Sequence, residues 1–240
     1  MVISKYTVSA AISKPMVAVV IADIHDGAYE NVINKTKELS PDFILIPGDI
    51  IKGHTSDAKN SPQMLVECTK LAPTFMSLGN HEQNALPLVR SAVQKAGVCL
   101  LDDSFVEFGK MHIGGLTSGF ITQKAEQGFY KKTPAPNHEW LDTFSAVDGY
   151  KLLLCHHPEY YPQYIRDKKI DMTISGHAHG GQWRVFGRGV YAPGQGLFPK
   201  YTSGMFDDRF IVSRGLANDY GIPRIFNPCE LIVIRFEPIK

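Results

Sequence analysis

Short continuous apolar runs recur along the chain, and each stops at a turn that carries Asp, Asn or His. Met16 to Ile21 (Met-Val-Ala-Val-Val-Ile) is the first, Phe43 to Ile46 the second and Thr74 to Leu78 the third; Lys151 to Cys155 and Met172 to Ile174 come later. Runs without polar alternation predict strands buried on both faces, which belong to parallel sheets covered by helices. The fold class read from this pattern is α/β.

Helical spacing fills the gaps between the first three runs. Val32, Ile33, Thr36 and Leu39 recur at helical intervals within Tyr29 to Leu39, and Ser40-Pro41 stops the segment because proline cannot continue a helix. Ser61-Pro62 predicts a second helix to about Leu71, with Ser as N-cap and Pro at the first helical position. Leu86 to Ala96 predicts a third, closed by Gly97. Val98 to Leu101, Ser104 to Phe108 and Met111 to Leu116 follow as short runs joined by tight turns, and read as antiparallel strands that make the sheet mixed. Tyr6 to Ala10 suits an edge strand, 121–136 a surface loop, and Asn137 the cap of a helix to about Phe144. The tail from Trp183 alternates short β-like runs with loops rich in Gly, Pro and aromatics. No internal repeat, low-complexity segment or linker divides the chain, so residues 1–240 are expected to form one domain.

Charge narrows the partners. Twenty-five Lys and Arg against 24 Asp and Glu give a net charge of +1, which offers no strong field to a nucleic acid. Cys68, Cys99, Cys155 and Cys229 show no C-x-x-C pairing and read as free, buried thiols of a reducing compartment. Met16 to Ala22 is too short to span a bilayer, and Met1 to Pro15 lacks the features of a signal peptide. A cytoplasmic protein is expected, with any membrane association peripheral or through a segment outside these residues.

The residues at the ends of the apolar runs are Asp23 and His25, Asp49, Asn80 and His81, His156 and His157, then His177 and His179. Each alone reads as a turn or cap residue. Together they are all metal-ligand types, and in an α/β sheet the carboxyl ends of the strands form the rim where ligands bind. The count suits two ions: Asp23, His25 and His179 for one, Asn80, His156 and His177 for the other, and the two oxygens of Asp49 as the bridge. A mixed His, Asp and Asn set favours Mn, Fe or Zn over calcium.

Asp23-x-His25, Gly48-Asp49, Gly79-Asn80-His81-Glu82, His156 and Gly176-His177-x-His179 resemble, in order, the motif set of the calcineurin-like metallophosphoesterases. Ser175 to Gln182, Lys200 to Gly204 and Val212 to Leu216 further resemble a bacterial subgroup of small phosphodiesterases related to enzymes that hydrolyse the pyrophosphate of UDP-diacylglucosamine. The resemblance implies a four-layer α/β/β/α sandwich of two mixed sheets. It also implies a hydrolase of phosphodiester or pyrophosphate bonds, acting on a small or lipid-linked substrate, in which a metal-bridged hydroxide attacks phosphorus. His81 then stands over the phosphoryl group to stabilise charge or protonate the leaving oxygen.

His157 is read as an orienting neighbour, and Glu82 as a hydrogen-bond acceptor of unknown partner. Arg214 braces the site from below. His112 and His138 are structural. Substrate contacts are expected from His54, Trp183, Arg184 and Arg188 on loops beside the metals. Two other readings remain open: a phosphomonoesterase or nuclease of the same fold, and a metal-stabilised interaction module without turnover. The oligomeric state and the physiological substrate are not written in the sequence.

Overall fold

The computed structural model describes residues 1–52, 57–119, 133–217 and 223–239. The elements run β1 (Val2–Ala10), β2 (Met16–Val20), α1 (Glu30–Leu39), β3 (Phe43–Ile46), α2 (Asn60–Leu71), β4 (Thr74–Ser77), α3 (Leu86–Ala96), β5 (Cys99–Leu101), β6 (Ser104–Phe108) and β7 (Met111–Leu116). Then come α4 (His138–Ala146), β8 (Tyr150–Cys155), β9 (Met172–Ser175), two miniature hairpins, β10 (Arg184–Val185) with β11 (Arg188–Gly189) and β12 (Tyr191–Ala192) with β13 (Gly196–Leu197), and finally β14 (Gly204–Phe206), β15 (Phe210–Val212) and β16 (Glu230–Pro238).

Beside the two miniature hairpins, the described residues form two six-stranded sheets, ordered β1-β16-β2-β3-β4-β5 and β14-β15-β9-β8-β7-β6. Successive side chains of a strand point to opposite faces, so one apolar run supplies two cores at once. Ala18 and Val20 of β2, with Phe43 and Leu45 of β3, meet Ile113, Leu152, Leu154 and Ile174 of the second sheet in the central layer. Val19, Ile44 and Ile46 instead face Met64, Leu65, Val89 and Val93 of α2 and α3. Leu153 and Cys155 of β8 and Phe210 of β15 pack outward against Leu141 and Phe144 of α4. The layers are therefore α/β/β/α, as expected. Each wholly buried Val, Ile, Leu or Phe here is worth about 1.5–3 kcal/mol over its exposed state.

Three local expectations need correction. β5 is not part of an antiparallel meander: it pairs parallel with β4 at the edge of the first sheet, and only β6 and β7 are antiparallel to each other. The chain crosses to the second sheet between Leu101 and Ser104, within a turn too short to announce a change of sheet. Ser61 is not the N-cap of α2; its hydroxyl donates to the Ile50 carbonyl, and the helix start is capped by Asp26, whose carboxylate accepts the amides of Lys59, Asn60 and Ser61. Nor are all the thiols buried: the four cysteines are free, but Cys99 and Cys229 are half-buried.

Asn137 does cap α4, accepting from the Trp140 amide at 3.1 Å, and Gly97 closes α3 with φ 74°. His112 packs on Phe105 and His138 on Tyr164. The 121–136 loop lies outside the described residues except at its end, as does His54. No helix among the described residues is long and apolar enough to cross a membrane.

Candidate metal centre

β2, β3 and β4 are mutually parallel, as are β7, β8 and β9, so their carboxyl ends lie on common rims. Beyond β2 and β3 the chains keep pairing: the amides of Ile21, Asp23, His25 and Asp26 donate to the carbonyls of Leu45, Gly48, Asp49 and Ile50. The Asp23 and Asp49 loops therefore travel together, and Asp23, His25 and Asp49 all turn in the left-handed region, with φ of 52°, 48° and 55°. His177 and His179 do the same at 64° and 46°. Non-glycine residues held in that region are strained, and such strain concentrates where side chains must be aimed.

Asp23 ties the two sheets together. Its Oδ1 accepts the His177 amide at 2.9 Å and lies 3.6 Å from His179 Nε2 and 3.9 Å from His156 Nε2. Asp49 Oδ2 lies 3.0 Å from His156 Nε2, while its Oδ1 accepts the His81 amide at 3.0 Å. Glu82 fixes this arrangement from behind. Its buried carboxylate accepts the amides of Asp49 and Gly79 on Oε2 and of Ile50 on Oε1, all at 2.8 Å, with Ile51 at 3.3 Å. The acceptor role expected of Glu82 thus has its partners, and they are the backbones of the loops that carry Asp49 and Asn80.

Asp23, His25 and His179 place one donor atom each within 4.8 Å of one another, and so do Asp49, His156 and His177. A further grouping joins His25, Asp49 and His81. The residues fit metal ions by a test of their own. Asp23 Oδ2, Asn80 Oδ1 and His156 Nδ1 are buried with no hydrogen-bond partner, a condition that costs free energy unless something binds there. The Nε2 atoms of His25 and His179 face each other at 3.1 Å, while His25 Nδ1 lies 3.2 Å from the Ile51 carbonyl, a backbone contact that orients the ring with Nε2 toward His179.

The electrostatics agree. Burial pulls His177 and His179 well below the ordinary histidine range, leaving neutral imidazoles with a lone pair to give. Burial, with Asp49 nearby, pushes Asp23 up to about 6. Asp49 is buried too, yet His156, then His81 and His25, hold it well below the usual carboxylate range. His156 resists its burial because of Asp49, and is raised to about 9.

His81 differs from the others. Its side chain is 23% exposed, its Nε2 stands 3.8 Å from Asp49 Oδ2, and its ring meets His25 edge to face at 4.5 Å. Behind the centre, Ser118 Oγ lies 2.7 Å from His157 Nε2 and Glu159 Oε1 lies 3.5 Å from His157 Nδ1. The His157 ring packs on His177 at 4.3 Å, so the pair holds that ring from its far side.

The loop residues divide. Arg184 gives its guanidinium to the carbonyls of Gly180 and Gly187 and to Thr202, and so braces the loop. The Trp183 indole donates to the Pro223 carbonyl at 2.9 Å, and Arg188 is exposed at the edge of a groove with Val185, Phe186 and Phe198. Arg214 pairs with buried Glu230 at 3.0 Å and so braces the start of β16. Arg224 escaped the sequence reading: its Nη2 lies 3.2 Å from His179 Nδ1. Nothing in a loop position 45 residues downstream signals that contact.

Comparison with known proteins places this geometry. A Campylobacter jejuni protein described as an uncharacterised metallophosphoesterase is 28% identical over 95% of the chain, and the phosphodiesterase YaeI of Escherichia coli is 26% identical over 87%. The UDP-2,3-diacylglucosamine pyrophosphatase LpxG of Chlamydia muridarum is 25% identical over 91% of the chain. The chain spans 61% of the Campylobacter protein, 77% of YaeI and 83% of LpxG. In fold it is similar to a dimetal phosphatase of Danio rerio, with a TM-score of 0.53 and 14% identity over 85% of the chain and 88% of that structure. The sequence profile of calcineurin-like phosphoesterases matches residues 16–181, from the first buried strand through the last histidine turn, and the chain belongs to that family.

Proposed function

We propose that the chain is a two-metal hydrolase of phosphodiester or pyrophosphate bonds, with Asp23, His25 and His179 holding one ion, Asn80, His156 and His177 the other, and Asp49 between them. The observation that carries this reading is the placement of Asp49, an ionised buried carboxylate that shares ligand-range groupings with histidines from both sheets. Bound ions would supply Lewis acidity to a phosphoryl oxygen and lower the pKa of water at the site. Glu82 keeps the Asp49 and Asn80 loops at fixed separation, and the Ser118, His157 and Glu159 set holds His177. His81, the exposed imidazole over Asp49, is placed to donate to a phosphoryl or leaving oxygen. The names of YaeI and LpxG support a diester or pyrophosphate over a monoester.

The test is hydrolysis of bis(p-nitrophenyl) phosphate by protein loaded with Mn²⁺, beside p-nitrophenyl phosphate and UDP-diacylglucosamine. Turnover of the diester, reduced by about 10³-fold or more in a folded Asp49→Ala variant, is expected. Metal-loaded, folded protein inert on all three substrates would overturn the hydrolase reading and leave a metal-stabilised interaction module.

A further inference from the structure

Three phenylalanines away from the metal ligands stand largely in solvent: Phe186 at 102%, Phe226 at 85% and Phe198 at 73% relative exposure. Each also sits in left-handed backbone, with φ of 50°, 52° and 48°. A bulky residue in that region is strained, and an exposed ring forgoes its burial, so the fold gains from neither. Phe186 tips the β10–β11 hairpin, and with Val185, Arg188 and Phe198 it lines an open groove of about 370 Å³. Phe226 follows Ile225, whose backbone is held beside this hairpin: Trp183 bridges Ile225 and the Arg184 amide donates to the Ile225 carbonyl at 3.0 Å. Val185, Leu197 and Ile225 of the same two segments are exposed as well.

Charge identifies the partner. No Asp or Glu occurs between Asp171 and Asp207, while Arg184, Arg188 and Lys200 lie in that stretch, the last two exposed. We propose that this face docks on an anionic phospholipid bilayer, with the phenylalanine tips entering the interface and Arg188 and Lys200 meeting lipid phosphates. A second copy of the chain fits less well. Face to face, the patches would bring cations together with no carboxylate of the stretch to pair them.

The face is mechanically continuous with the metal centre. Arg184 holds the Gly180 carbonyl at 2.9 Å, and Asn227 holds the His179 carbonyl at 2.7 Å and that of Gln182 at 3.1 Å. Docking would therefore set the ligand turn beside the lipid surface. Only that consequence, access to a lipid-borne phosphoester, rests on the hydrolase reading; the docking does not.

Vesicle co-sedimentation tests it, using phosphatidylcholine vesicles with and without phosphatidylglycerol. Wild type is compared with the Phe186→Ser/Phe198→Ser/Phe226→Ser variant and with Arg188→Glu/Lys200→Glu. Wild type is expected to pellet with the anionic vesicles, about thirtyfold more weakly with neutral ones, and to lose that preference in the charge-reversed variant. The triple variant is expected to stay in the supernatant while keeping its far-UV dichroism and its turnover of soluble bis(p-nitrophenyl) phosphate. Wild type remaining in the supernatant, or the triple variant pelleting equally, overturns the proposal. So does a wild-type dimer in sedimentation velocity that the triple variant lacks, which would make the patch a self-interface. If both metal-loaded proteins are inert on the diester, on p-nitrophenyl phosphate and on UDP-diacylglucosamine while only wild type pellets, the hydrolase reading fails and the docking stands.

Discussion

A Cβ at position 79 would stand 2.2 Å from Asp49 Oδ1 and 2.8 Å from the Asp49 amide nitrogen, so only glycine lets the Asp49 and Asn80 loops approach as they do. Gly79→Ala is expected to displace the Asp49 carboxylate and cut metal content to half or less by elemental analysis while the far-UV spectrum persists. Retention of a full metal complement would show that the loops can part without cost. Glu82 is the complementary case, one carboxylate serving four backbone donors. In Glu82→Gln an amide NH₂ must face some of those N–H groups, and a loss of about 2–4 kcal/mol in urea unfolding is expected; a change below about 0.5 kcal/mol would mean the loops hold themselves. The two residues were not equally legible. Gly79, Asn80 and His81 end an apolar run and advertise themselves. The donors that Glu82 accepts from sit up to 33 residues away in sequence, so only the folded chain reveals them.

At the scale of elements, what the sequence discloses is local periodicity, and what it conceals is which sheet a short strand joins. The buried strands β2, β3, β4, β8 and β9 are continuous apolar runs and could be read directly. β5 is three residues long, and its parallel partner β4 lies across α3, so nothing local separates it from the β6–β7 hairpin that follows. The cap of α2 was hidden for a similar reason. Ser61 had the right chemistry at the helix start, but Asp26, 33 to 35 residues earlier, reaches it first. Although partial burial opposes it, hydrogen bonds from Ser61, Lys59 and Asn60 hold Asp26 below its ordinary value. Its contribution to stability is then full above the unfolded carboxylate range and is lost as pH falls through the lowered folded value. Asp26→Ala is expected to cost about 1–2 kcal/mol at neutral pH and less in acid, read from denaturant unfolding at several pH values. A loss that does not shrink in acid would show that packing rather than the cap is responsible.

Over the whole molecule the candidate metal centre lies where the two sheets, which elsewhere meet mainly through apolar side chains, exchange buried charged and polar contacts, so ions held there would link binding to folding. The direction of that linkage with pH follows from two groups. In the metal-free protein Asp23 is raised to about 6, so its favourable contribution, full below the unfolded carboxylate value near pH 4, is lost as pH rises through about 6. His156, raised to about 9, stabilises the metal-free fold below the ordinary histidine range, and that contribution is lost as pH rises through about 9. Metal ions need both groups deprotonated, so they compete with protons for Asp23 and His156 and replace what the free protein loses. The rise in Tm on adding Mn²⁺ is therefore expected to grow between pH 6 and 9, with affinity increasing by up to about tenfold per pH unit for each proton displaced. Calorimetric titrations in buffers of different ionisation enthalpy count those protons directly. A Tm increment that is flat or shrinking over this range, or binding without proton release at pH 7, would mean that ions do not take the place of the His156 and Asp23 protons. EDTA gives the converse: it should lower Tm most at the alkaline end, where the metal-free protein has lost both contributions and two sheets meet across ionised Asp23 and Asp49 with no cation between them.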